Sequence, residues 1–444
     1  MTRTTPSFPR VSVALLLVVA ALLVGGCAAT KMKPTPVIYT SANRLDLAER
    51  VPESKRTNNV EIFYATNRKA KGPTDNRKYT NDVDDRLHLG VADVRIGDKN
   101  TSWDQIVRAS EGQGGNPAFK YIRARELGQL DNADDEAFIE AINKQLNSTR
   151  NHEVSIYVHG FRSSMPPEIE ILAKLNLFTA RGGAMICFGW PSRQSVMLYN
   201  GDVERGKKSA HYLADLVELI ANRTDAESIN ILAYSAGAVV AADGMCQLRD
   251  RYPDDDPAAL SKRLRIGNVV FAASDLDLKA FARDQFKRIQ DVGQNTIIYI
   301  AENDAALGWA SLGYGASRLG RPDVKSLNLS KKQIEEAAKD TSAQIVDVTK
   351  VPGPHGSFGG LRGHGYWYVN DWIMTDLLVI LRWQSTAEER GLVRKPGTAR
   401  WVFPKDYPTR VYEAVHRLAE KTTTAPTTTT TRTTTRPADA ATAR

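Results

Sequence analysis

The chain has 444 residues, 42% hydrophobic and 25% charged, which suits one large globular domain with appendages. Its formal charge of +8 lies mostly at the ends: Arg3 and Arg10 stand without an acid in the first 27 residues, and four basic residues against Asp439 follow Glu420, leaving +3 for the middle. No dense Lys/Arg block occurs there, so the charge gives no support to a nucleic-acid-binding role.

Residues 1–27 form a separate unit, with two arginines, an apolar run from Val11 to Val24, and "VGGC" ending at Cys27. A run this short, closed by small residues, reads as the core of a signal peptide rather than a membrane-spanning helix. The form "LLVGGC" resembles the bacterial lipobox, whose cysteine becomes the lipidated first residue of the mature chain. That resemblance implies a lipid anchor on Cys27, a membrane partner and an envelope location facing the periplasm or exterior. Ordinary secretory cleavage or an uncleaved anchor is the alternative.

Residues 28–58 are polar with scattered prolines, the composition of a flexible tether. Strand signals begin at "VEIFYATNR" from Val60. Near-continuous apolar runs follow at Val154–Phe161, Ala184–Trp190, Ile229–Ser235, Gly267–Asp275, Asn295–Asp304 and Ala343–Val348, as expected of strands buried on both faces. Helical patterns alternate with them, for example Ala210, Leu213, Ala214, Val217 and Ile220. The fold class is therefore α/β, a mostly parallel central sheet with helices on both faces, over residues 59–395. Residues 396–420 read as an extension with a short amphipathic helix, and the Thr-rich 421–444 as a disordered tail. Cys187 and Cys246 sit in apolar surroundings and are expected as buried free thiols.

Reactive groups of an open parallel sheet collect at the carboxyl ends of its strands. Ser235, in "INILAYSAGAVVAA", stands where a strand gives way to a helix, the place of a nucleophile exposed on a sharp turn. Such a turn needs small residues two positions either side, here Ala233 and Gly237; Ala233 departs from the usual glycine. The amide of Ala236 would be one oxyanion donor and that of Phe161, after "VHG", another. With partners in the order serine, acid, histidine, the seven histidines reduce to His355, His364 and His416, and His416 falls in the closing helix. His364, in "RGHGYW" before aromatic and helical sequence, is preferred to His355 as base. Asp304, ending the strand before that loop, is preferred as acid to Asp275 and Asp277.

In this order, "FYATNR", "VHGF", "FGWPS", "INILAYSAG", "NVVFAASDLD", "AENDAAL" and "GHGYW" resemble the bacterial alpha/beta-hydrolase family first catalogued as a domain of unknown function and grouped with esterases and lipases. The likeness runs from about Val60 to about Arg382. It implies the alpha/beta-hydrolase fold and a serine, aspartate, histidine triad, with no known natural substrate. Members more often carry "HSMG" at the turn, and "AYSAG" departs from it.

The expected activity is cleavage of carboxylic esters, small-molecule or lipid, through an acyl-enzyme on Ser235. An acyltransferase or peptidase with the same triad, or a non-catalytic envelope lipoprotein, is the alternative. No cofactor is required, and His355 with His364 finds no third metal ligand at a fitting spacing. His159 reads as a structural neighbour of the oxyanion loop, "FGWPS" as rim and core, and "GDVERGKK" as a chance likeness to a phosphate loop.

Overall fold

The computed structural model describes residues 29–41, 44–130, 134–149, 151–193, 199–314, 316–323, 342–352 and 364–424. Cys27, His355 and the tail beyond Thr424 lie outside them.

Each of the six apolar runs forms a strand: β4 (Glu153–Val158), β5 (Ala184–Phe188), β6 (Ser228–Tyr234), β7 (Ile266–Ala272), β8 (Gly293–Ile300) and β9 (Ala343–Asp347). With β1 (Asn59–Lys71), β2 (Lys78–Ile96), β3 (Phe119–Gln129), β10 (Val393–Arg394) and β11 (Arg400–Val402) they make one sheet, ordered β10-β11-β9-β8-β7-β6-β4-β5-β1-β2-β3. From β11 across to β1 every neighbouring pair is parallel, while β2, β3 and β10 add antiparallel pairs at the two edges. The flanking strands β2, β3, β10 and β11 escape a search for apolar runs because they are only partly covered. β2, for instance, is largely solvent-facing over its first nine residues and buried after them.

The sheet separates two hydrophobic cores. Val154, Ile156 and Val158 of β4 point to one, and Tyr157 to the other, as strand alternation requires. The first core is covered by α2 (Tyr199–Arg223) and α3 (Gly237–Arg251). The second is covered by α1 (Met165–Phe178), α4 (Asp371–Arg382) and α5 (Tyr407–Thr424). The predicted stripe Ala210, Leu213, Ala214, Val217 and Ile220 lies on α2 and is fully buried. Cys187 and Cys246 are buried and unbridged.

Two expected boundaries are corrected. Residues 29–58 are not a free tether: Met32, Val37, Ile38, Tyr39, Leu47 and Val51 are buried in the second core. The Tyr39 hydroxyl donates to Phe178 O (2.7 Å) and Thr375 Oγ1 accepts from Val37 N (2.9 Å). Apolar residues spaced among polar ones are enough to dock a segment when a helix layer leaves a stripe uncovered. Residues 396–420 likewise belong to the domain, since β11 pairs with β9 and Tyr407, Val411 and Val415 of α5 are buried.

Among the described residues no helix is long and apolar enough to cross a membrane. Residues 201–208, the phosphate-loop look-alike, lie inside α2.

Candidate active site

The turn between β6 and α3 sets the geometry of the site. Ser235 adopts φ +53°, a left-handed conformation that a β-substituted residue holds only where its surroundings impose it. Here the strand next door imposes it: Ser235 N donates to Ala272 O (3.1 Å), and Asp275 N donates to Ser235 O (3.2 Å). Gly237 then passes so close to β4 that an added Cβ would lie 2.4 Å from both Val158 O and His159 O. The demand for a small residue after the serine thus comes from α3 pressing on the end of β4.

Asp304 follows β8 in a tight turn, its N–H donating to Ala301 O (3.1 Å). One carboxylate oxygen accepts Leu307 N (3.0 Å), which holds the side chain at the start of the helix Ala305–Tyr314. The other lies 2.8 Å from His364 Nδ1, and His364 Nε2 lies 2.7 Å from Ser235 Oγ. Ser235, Asp304 and His364 are therefore brought into one hydrogen-bonded line, with Asp304 fully buried and His364 17% exposed.

The sequence after His364 holds the ring. Tyr366 is buried; its hydroxyl accepts Ala273 N (2.7 Å) and donates to Tyr299 O (3.1 Å), tying the loop to the ends of β7 and β8. Tyr234 packs against His364 with ring centroids 5.3 Å apart, and Trp367 backs Tyr234 at 5.8 Å. Burial opposes charging of the imidazole, but the Asp304 carboxylate, its hydrogen bond and Asp275 outweigh burial and hold His364 above the ordinary histidine pKa.

Asp275 is buried near the same imidazole and forms an ion pair with Arg318 at 3.3 Å. Burial pushes its carboxyl up to about 6, against the pull of Arg318 and His364. Asp277 instead caps a short helix through Ala280 N (2.8 Å). His416 meets Tyr412 edge-on, on the exposed side of α5.

The loop after β4 lies directly against Ser235: a Cβ at Gly160 would be 3.0 Å from Ser235 Cβ. Phe161 follows on that loop, and Ala236 is the N-cap residue of α3. The sequence reading missed how this loop is braced. The indole N–H of Trp190 donates to His159 O (2.7 Å), its ring stacks on His159, and Arg162 N donates to Ser192 Oγ (2.9 Å). "FGWPS" is thus the seat of the loop. Arg68, buried at the end of β1, reaches the same loop, and only its place in "FYATNR" hinted at that. Among the described residues no three His, Cys, Asp or Glu side chains gather to hold a metal ion.

The family described as "Alpha/beta hydrolase of unknown function (DUF900)" matches residues 134–378, more than half of the chain. The chain belongs to this family. As in any alpha/beta hydrolase, the sheet presents its strand ends as the site, and Ser235, Asp304 and His364 all fall inside the matched segment. Strands β1 to β3, Arg68 and the closing helix of this hydrolase lie outside it. Neither a curated protein sequence nor a solved structure matches the chain.

Proposed function

We propose that the protein is a serine hydrolase that cleaves carboxylic esters through an acyl-enzyme on Ser235. The observation that carries this reading is the pair of contacts at His364, 2.7 Å to Ser235 Oγ and 2.8 Å to Asp304 Oδ2. A hydroxyl is a weak nucleophile at neutral pH, and an imidazole within hydrogen-bond reach removes its proton as the Oγ–carbon bond forms. The carbonyl π electrons move to oxygen, where the amides of Phe161 and Ala236 receive the negative charge. Collapse expels the alcohol, which takes the proton from His364 Nε2. Water then attacks the acyl carbon as the same nitrogen takes one of its protons, and collapse releases the acid while that proton passes from Nε2 to Ser235 Oγ. Asp304 keeps Nδ1 protonated and stabilises the imidazolium; its second oxygen, tied to Leu307 N, resists rotation.

The same proposal places the hydrolase in the cell envelope, held to a membrane by lipid on Cys27. Because Met32, Val37, Ile38, Tyr39, Leu47 and Val51 are packed into the domain, lipid on Cys27 would keep the domain close to the membrane surface rather than on a long leash.

A fluorophosphonate probe followed by peptide mapping tests the chemistry, since only an activated serine is labelled. Labelling of Ser235, lost in Ser235→Ala and His364→Ala but kept in His355→Ala, is the expected result. Turnover of a panel of para-nitrophenyl esters by the wild type, with and without competing alcohol or amine acceptors, separates hydrolysis from acyl transfer. Absence of labelling in the folded wild type would sink the reading.

A further inference from the structure

Arg68 is 1% exposed and sits at the carboxyl end of β1, on the same edge of the sheet as Ser235. Its guanidinium donates to Ser163 O (2.7 Å) and Asn81 Oδ1 and lies 3.3 Å from His159 Nε2. Among the described residues no carboxylate forms an ion pair with it, and its Nε is buried without a hydrogen-bond partner. Burial lowers its pKa to about 10, with Cys187, Glu168 and Asp202 pulling upward, so it is still a cation at neutral pH. A buried cation without a counter-ion weakens a fold. Stability alone therefore gives no reason for it.

Its contacts set the orientation of one peptide. A guanidinium can only donate, so His159 Nε2 must accept from Arg68; Nδ1, 2.8 Å from Gly160 O, must then carry the hydrogen. Desolvation by burial, with Arg68 beside it, pushes the His159 pKa down to about 3, which keeps the ring in that neutral form. With Gly160 O tied to the His159 ring, the planar trans peptide turns the N–H of Phe161 to the opposite side. Arg68 grips the far end of the same loop at Ser163 O, beyond Arg162, which is held at φ +59°.

We propose that Arg68 is the positioning residue of the oxyanion site: through His159 and Ser163 O it aims the Phe161 amide, and it places a buried positive charge, in no direct ion pair, behind the loop that receives the developing oxyanion. The inference rests on the esterase reading and adds a residue outside the segment that the family match covers. Its effect belongs to the tetrahedral state, where the oxygen is charged, and not to the neutral bound ester.

The test uses para-nitrophenyl acetate and phenyl trifluoromethyl ketone. The ketone takes Ser235 Oγ onto its carbonyl carbon, passes the hydroxyl proton to His364 and leaves an oxyanion in place of the carbonyl. Arg68→Met and His159→Phe, the latter keeping a ring against Trp190, should each lower kcat/KM roughly 10- to 100-fold with little change in KM. Each should weaken ketone inhibition by a similar factor, and the double variant should lose no more than the worse single, because both act through one relay. Asn81→Ala, at a half-buried position, should shift both readouts in the same direction by a smaller factor and serves if Arg68→Met does not fold. Unchanged ketone affinity in these variants, or losses that multiply in the double variant, overturns the inference while the wild type's turnover leaves the esterase reading standing. A folded wild type that neither turns over nor is labelled removes both.

Discussion

His364 Nδ1 and Asp304 Oδ2 lie 2.8 Å apart, and the other oxygen of Asp304 is fixed by Leu307 N at 3.0 Å. The carboxylate is thus anchored to the first turn of a helix before it meets the imidazole. Rotating it toward another partner would leave a buried backbone donor unsatisfied. Asp275 also faces His364 electrostatically, but Arg318 holds it.

This predicts a ranking of the two acids. Asp304→Asn can keep the bond from Leu307 N while presenting an amide donor to His364, which favours the wrong tautomer. Its kcat should drop by about 10⁴-fold with the fold retained. Asp275→Asn should cost far less. Steady-state kinetics on both variants, with circular dichroism to confirm folding, decides the matter, and the reverse order would move the acid to the end of β7.

The pH profile follows from the charge around His364. The base must be neutral to accept the Ser235 proton, and its pKa is held above 6.5 in the folded protein. Activity should therefore be full above that raised pKa and fall as pH drops through it, so the acid limb of kcat/KM lies above 6.5. Asp275→Asn removes one carboxylate that favours the imidazolium, and should move the limb to lower pH. A limb that stays put in that variant would show that Asp275 does not act on the base.

Gly237→Ala should destabilise the protein by about 1–3 kcal/mol, the usual cost of forcing extra volume into a packed site. The added Cβ would meet two backbone carbonyls at 2.4 Å, and neither can swing away as a side chain could. Denaturant unfolding compared with the wild type measures this; equal stability would mean that α3 is free to shift off β4.

Removing residues 29–51 should lower the unfolding temperature and expose apolar surface, because Tyr39 covers Phe178 with ring centroids 5.5 Å apart and Met32, Leu47 and Val51 are fully buried. Calorimetry and dye binding on the truncated chain check it. Unaltered stability is what a free tether would give.

Replacing Cys27 with Ser should release the protein from the membrane fraction or leave its precursor uncleaved. Detergent partitioning and mass spectrometry of the mature terminus give the readout. A variant that matures and stays membrane-bound as before removes the lipid anchor from the proposal.

The pattern of residues along the chain was enough to determine the six buried parallel strands, the stripe on α2 and the place of Ser235 at a strand-to-helix junction, because each is written in neighbouring residues as apolar continuity or helical period. Strands β2, β3, β10 and β11 carry weaker patterns, since a half-solvated edge strand need not be apolar. The docking of Met32, Val37, Tyr39, Leu47 and Val51 depends on a stripe that α1 and α4 leave open, which no local pattern can announce. Chain order had already put Ser235, Asp304 and His364 forward as partners; tertiary structure alone decided the contacts between them and brought Arg68 to the loop after β4. His364 lies 129 residues from Ser235 and 60 from Asp304, and Arg68 lies 91 residues from His159. The physical reason is that a hydrogen bond is satisfied by position in space and leaves no mark on the residues between its partners, so Arg68 read as one more charge on a strand until the sheet carried it under the loop beside Ser235.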